Sequence, residues 1–248
     1  MTSSRREALR RQQAAQAKQK RLTRIVIAGA AIAALVLVAV FGTILVQGMN
    51  RPTTASVPVN ATSAKDGIIV NPGKPVAGAP VVQLFVDYQC PVCKSFEGIF
   101  GPTLKDMASK GEIQLEYHTM TFLDTNLRND SSIRAGIAAA CSDNVGKYSD
   151  YHDTVFSNQP ATEGTGYTTD QLRREFAATA GITGADLTTF QQCYDSKAMA
   201  GFVNGTNDLA SKSGVNSTPT LKVNGKVLEN KTLPTSNPAQ LRDLILAS

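Results

Sequence analysis

The spacing of apolar positions changes along the chain, and each change predicts a different element. A run that begins at Ile25 and ends at Gln47 (IVIAGAAIAALVLVAVFGTILVQ) carries no charge. At about 1.5 Å per residue its roughly 23 residues cross a hydrocarbon core of about 30 Å, so it predicts a transmembrane helix. Residues 48–65 are mostly Thr, Ser, Ala, Pro and Asn, too poor in apolar bulk to fold alone, and predict a flexible linker. Residues 67–70 suggest a short leading strand, after which Pro72, Gly73, Pro75, Gly78 and Pro80 break the chain. The run from Val81 to Tyr88 is nearly all apolar, as a strand buried on both faces would be. A helix from Pro91 puts Phe96, Ile99 and Phe100 on one stripe. Gly101-Pro102 is expected to kink or break it before Leu104 and Met107 resume the pattern. Ile113, Leu115, Tyr117 and Thr119 then alternate with Gln114, Glu116 and His118, which predicts a strand with one wetter face. Strand, helix and strand in that order make a right-handed βαβ unit with a parallel pair.

From about Asp130 to Ser213 the period is helical. Ile133, Ile137, Ala140 and Cys141 share one face, and Tyr148, Tyr151, Val155 and Phe156 another. Thr169 with Asp170 is read as the cap of a helix carrying Leu172, Phe176 and Ala177, and Asp186 precedes one carrying Leu187, Phe190 and Tyr194. The Gly- and Thr-rich piece 159–168 reads as a loop. Residues 220–228 (TLKVNGKVL) are two strand-like runs joined by Asn224-Gly225, a strong hairpin signal. Pro238 then starts a helix with Leu241, Leu244 and Ile245 on one stripe. An α/β core built from residues 66–128 and 214–248 is thus split by a helical insertion at 129–213.

Charge sets the topology of the front end. Arg5, Arg6, Arg10, Arg11, Lys18, Lys20, Arg21 and Arg24 precede the apolar run, against the single acid Glu7. By the positive-inside rule residues 1–24 stay in the cytoplasm and everything beyond Gln47 is exported, with the catalytic domain extracytoplasmic and the cell membrane as its location. The alternative, a cleaved signal peptide, would have a shorter apolar stretch of about 7–15 residues. This tail supplies +7 of a net charge of +5, leaving the rest near −2, so a nucleic-acid partner has no electrostatic footing.

The chemistry centres on Cys90-Pro91-Val92-Cys93, set where a strand ends and a helix starts. A free thiol titrates near 8.5; unpaired amides at a helix start favour the thiolate, which makes Cys90 the attacking sulfur and good leaving group. Cys93, a turn further in, is placed to resolve a mixed disulfide. A zinc site completed by Cys141 and Cys193 is disfavoured because those two do not form a second close-spaced pair, so neither metal nor cofactor is expected. A bridge between Cys141 and Cys193 keeps each disulfide within its own module and would staple two insertion helices; two buried thiols are the alternative. By the chain-entropy model a loop of about fifty residues is worth roughly 4 kcal/mol. Thr218-Pro219 stands just before the hairpin that would lie beside the Val81 strand, which brings Pro219 near the cysteine helix.

FVDYQCPVC, YHDTVFSNQP and STPTLKVNG, in this order, resemble the DsbA-like thiol-disulfide oxidoreductases of the thioredoxin superfamily, over essentially residues 66–248. The resemblance implies an α/β thioredoxin fold with an inserted helical domain, here preceded by one N-terminal transmembrane helix. It implies Cys90 as an exposed nucleophile, Cys93 as resolving cysteine, and a cis Thr218-Pro219 bond whose loop binds substrate beside Pro91 and Val92. Implied partners are reduced exported proteins, into which disulfides are introduced, and a membrane quinone reductase of the DsbB or vitamin K epoxide reductase type; the alternatives are a reductase or isomerase of the same fold, or a non-enzymatic tethered binding module. Two residues depart from the pattern: Val92 stands where strongly oxidising members often have His, and Leu84 where many relatives bury an acid. His118 and His152 are expected to have surface or packing roles, while Asp87 is a candidate to cap the helix or tune the thiolate.

Overall fold

A computed structural model describes residues 56–229 and 233–248. The expected transmembrane helix and cytoplasmic tail lie outside them; among the described residues no helix is long and apolar enough to cross a membrane. The core is a five-stranded sheet of β1 (Ile68–Ile69), β2 (Val81–Val86), β3 (Gln114–Thr119), β4 (Thr220–Val223) and β5 (Lys226–Val227), in the order β1-β3-β2-β4-β5. β2 and β3 are parallel, with Leu84 opposite Tyr117, and the other pairings are antiparallel. The central position of β2 explains its nearly unbroken apolar sequence: Val82, Leu84 and Val86 are fully buried.

The helix α1 (Pro91–Ser109) joins β2 to β3 and packs on the C-terminal helix α8 (Pro238–Leu246). It runs through Pro102 without ending, because Phe96, Phe100, Leu104 and Met107 all bury along one side and outweigh the lost backbone bond. The insertion holds α2 (Phe122–Leu127), α3 (Ser131–Asp143), α4 (Tyr148–Ser157), a π-turn (Gln171–Glu175) running into α5 (Phe176–Thr179), α6 (Gly184–Asp195) and α7 (Ala200–Lys212). α3 is its hub, touching α4, α6 and α7.

Local differences from the sequence reading have identifiable causes. The wetter face of β3 is covered: α7 packs over it, so Glu116 and His118 are 6% and 1% exposed. His118 meets the Asp66 carbonyl through Nδ1 at 2.7 Å. The cap of the Leu172 helix is Thr168 rather than Thr169 and Asp170. Thr168 Oγ1 accepts from Gln171 N (3.1 Å) and Gln171 Oε1 accepts from Thr168 N (2.8 Å), a reciprocal capping box. The last residues of the expected linker are docked. Asn60 donates through its backbone N and Nδ2 to Asp143 at the end of α3 (2.7 and 2.9 Å), and Ala61 bridges Ile68. Such residues need no core of their own once a folded surface offers them hydrogen-bond partners.

Candidate active site

β2 delivers the chain through Tyr88 and Gln89 to Cys90, the N-cap of α1 (φ −77°, ψ 116°), and Pro91 occupies a position where its missing N–H is no loss. The Cys93 backbone N–H donates to Cys90 Sγ at 3.4 Å, and the Cys90 thiol reaches the Thr218 carbonyl at 3.5 Å. Both cysteines are free thiols. The Cys90 thiol is lowered from 9.0 to about 6, mostly by its hydrogen bond with the Cys93 thiol. Burial opposes the shift, and the Cys93 and Val92 amides and Thr218 assist it. Cys93, wholly buried, is pushed well above its ordinary value by burial first and by the neighbouring sulfur second. Between the two, Cys90 is the one favoured as a thiolate and Cys93 the one that keeps its proton.

The structure corrects the expectation of an exposed nucleophile: Cys90 is only 7% exposed. The loop before β4, whose Thr218-Pro219 bond is cis, lies against it, and the solvent side of the turn belongs to Val92, at 62%. Val92, Thr218 and Pro219 line one groove of about 330 Å³ with Phe96, Ile99 and Leu233; Pro91 is exposed beside it. An apolar trough with a backbone carbonyl beside the sulfur suits an extended peptide.

Behind the cysteines stands a polar frame that sequence reasoning missed. Gln159, 6% exposed, donates through Nε2 to the Tyr88 carbonyl (2.8 Å) and the Cys90 carbonyl (3.0 Å). Tyr167 Oη donates to the same Tyr88 carbonyl at 2.7 Å. The loop 159–168 thus holds the backbone that leads into Cys90. Its only signal was position, at the end of the quoted YHDTVFSNQP stretch. Asp87 does not cap α1 with its side chain. Its carbonyl accepts from Cys90 N (3.0 Å), and its carboxyl accepts from Gln89 N (2.9 Å) and Ser132 Oγ (2.6 Å). Burial raises that carboxyl to about 7 against these hydrogen bonds. Gln89 continues the frame to Asp124 and Asn129, and Asp124 accepts from Ser132 N and Ile133 N at the start of α3. Leu84 is fully buried, with no acid at that place, and His152 is buried against Tyr88, its Nδ1 2.9 Å from the hydroxyl.

Cys141 and Cys193 are joined in a disulfide that ties α3 to α6 across 52 residues, which removes both from any zinc site with Cys90 and Cys93. Comparison with known proteins agrees with this geometry. The thioredoxin family model described as "Thioredoxin" matches residues 71–244. The chain belongs to the thioredoxin family, on its DsbA-like branch. Within that family it is 32% identical over 168 residues to Disulfide bond formation protein D of Bacillus subtilis (strain 168), covering 64% of this chain and 71% of the relative. The reduced crystal structure of DsbA from Mycobacterium tuberculosis is 29% identical, with a TM-score of 0.59 over 73% of this chain and 90% of that one. MdbA, a thiol-disulfide oxidoreductase from Actinomyces oris, shares the fold at a TM-score of 0.66 and 20% identity, over 79% of this chain and 94% of its own. As a DsbA-like family member the chain is a protein disulfide oxidoreductase.

Proposed function

We propose that this oxidoreductase works as an oxidase, handing a Cys90–Cys93 disulfide to reduced, newly exported proteins. The observation that carries this direction is the Cys90 thiol lowered to about 6 beside a Cys93 thiol raised by burial. A stabilised thiolate stabilises the dithiol, and a stable dithiol makes its disulfide a strong electron acceptor. A substrate thiolate attacks Cys90 Sγ, the Cys90–Cys93 bond breaks, and Cys93 leaves and takes up a proton. The mixed disulfide lies along the groove of Val92, Thr218 and Pro219. A second substrate thiolate attacks the substrate sulfur, releasing Cys90 as its thiolate, so the substrate loses two electrons and the enzyme gains them.

The run from Ile25 to Gln47 anchors the domain outside the membrane in this reading, with residues 1–24 inside. A membrane quinone reductase of the DsbB or vitamin K epoxide reductase type returns the dithiol to the disulfide. Support for the anchor is the uncharged run behind a +7 tail; support for the partner is the resemblance to exported family members. Redox titration of the full chain tests the direction: a potential well above about −200 mV fits donation, and one near about −270 mV refutes it in favour of reduction. Trapping with Cys93→Ser in cells identifies substrates and the recycling protein. Protection of the catalytic domain from protease applied directly outside the cytoplasmic membrane would overturn the export.

A further inference from the structure

Beneath the cysteine helix lies a polar group that the thiol chemistry does not use. Glu97 in α1 and His152 in α4 are both buried, and Glu97 Oε1 and His152 Nε2 have no hydrogen-bond partner among the described residues. These two atoms lie 3.3 Å apart, an ion-pair contact that is not a hydrogen bond. A buried contact that gives neither atom a hydrogen bond is a poor substitute for a ligand bonded to both. Its spacing suits a metal ion: bonds of about 2.0–2.2 Å in a tetrahedral zinc site put neighbouring ligand atoms ~3.3 Å apart.

The surroundings fit a ligand set. His152 Nδ1 is 2.9 Å from the Tyr88 hydroxyl, and a tautomer with its proton on Nδ1 leaves the Nε2 lone pair free. Tyr117 Oη donates to Glu97 Oε2 at 3.2 Å. Outer hydrogen bonds of this kind are how metal ligands are oriented. The Asp153 carboxylate supplies a third atom, and all three ligand atoms lie within 4.8 Å of one another. Asp153 is half-exposed and lines, with Glu97, an open groove of about 380 Å³ that gives an ion a way in. Lys105 in the same groove pairs with Asp153, and Lys94 beside it is held by the Gln159 carbonyl at 2.9 Å.

We propose that Glu97, His152 and Asp153 bind a divalent transition metal of the zinc type, Lys105 leaving Asp153 as the ion enters, and that the ion ties the cysteine helix to the insertion. One imidazole nitrogen with two carboxylates favours zinc or cobalt over calcium or magnesium, which take oxygen alone. The test uses the full chain with Cys90 and Cys93 oxidised to each other, so that no thiolate competes. Zinc titrated calorimetrically binds one to one, and cobalt gives a ligand-field spectrum free of sulfur charge transfer. Asp153→Asn weakens binding on the order of 10- to 100-fold or more. Lys105→Ala removes the competing cation and tightens it. Both positions are partly exposed, so the variants keep the fold. Zinc raises the melting temperature of the wild type and not of Asp153→Asn. No binding to the oxidised wild type, binding indifferent to Asp153→Asn, or a Lys105→Ala variant that binds no tighter would each overturn the site.

Discussion

The Cys90 thiolate sets a pH dependence that can be worked out before it is measured. With its thiol lowered from 9.0 to about 6, roughly nine-tenths of the sulfur is ionised at pH 7 and about one-tenth at pH 5. Alkylation of the reduced protein should therefore slow only about tenfold across that interval, with a midpoint near 6; an unperturbed thiol would slow about a hundredfold with no midpoint in range. Stability follows the same titration. A depressed acid stabilises the fold fully above its unfolded value and loses that contribution as pH falls through the folded value. Reduced protein thus has its whole gain above about pH 9, keeps part of it at pH 7 and has essentially none below about pH 6. At pH 7 this leaves on the order of 1 kcal/mol, discounted for the sulfur's contact with solvent. The oxidised protein has no such titration. Ultraviolet thiolate absorbance against pH, alongside denaturation of both redox forms at pH 5 and 7, reads both effects. A thiol midpoint at 8 or above, or reduced and oxidised forms whose stability difference does not move between pH 5 and 7, would refute the stabilisation of the Cys90 thiolate by the Cys93 thiol and the amides beside it.

Three further outcomes follow from named contacts. The Asp87 carboxyl is raised from 3.8 to about 7, so its contribution is present below about pH 4 and lost as pH climbs to 7. Asp87→Asn should flatten that decline, a difference on the order of 4 kcal/mol at most, in denaturation series from pH 4 to 8. Replacing Cys141 and Cys193 by Ser opens a 52-residue loop and should cost about 2–5 kcal/mol in denaturant midpoint analysis, while leaving Cys90 alkylation at pH 7 within twofold. Gly166 sits at φ +67° with the place of a Cβ only 1.8 Å from Ser131 Oγ. Gly166→Ala should therefore lower stability by roughly 2 kcal/mol or more, read as a drop in melting temperature.

Elements whose apolar period is local were legible. The β2 run, the α1 stripe, the Asn224-Gly225 hairpin and the order of elements all came from side-chain spacing, because burial of one face leaves its period in the sequence. Cys90 at a helix start was legible for the same reason: a cap is defined by the residues that follow it. Contacts across the fold were not. Nothing in the residues near Gln159 says that its amide will hold the carbonyls of Tyr88 and Cys90, since that contact spans about seventy positions and exists only once the insertion docks. Nor does the alternation of β3 say that Glu116 and His118 will be covered, because the cover comes from α7, more than eighty residues on. Local chemistry determined which sulfur stands at the helix start and which helices form. Only tertiary packing decided how little of that sulfur meets water, which carboxyl is held near neutrality, and that Glu97 and His152 face each other.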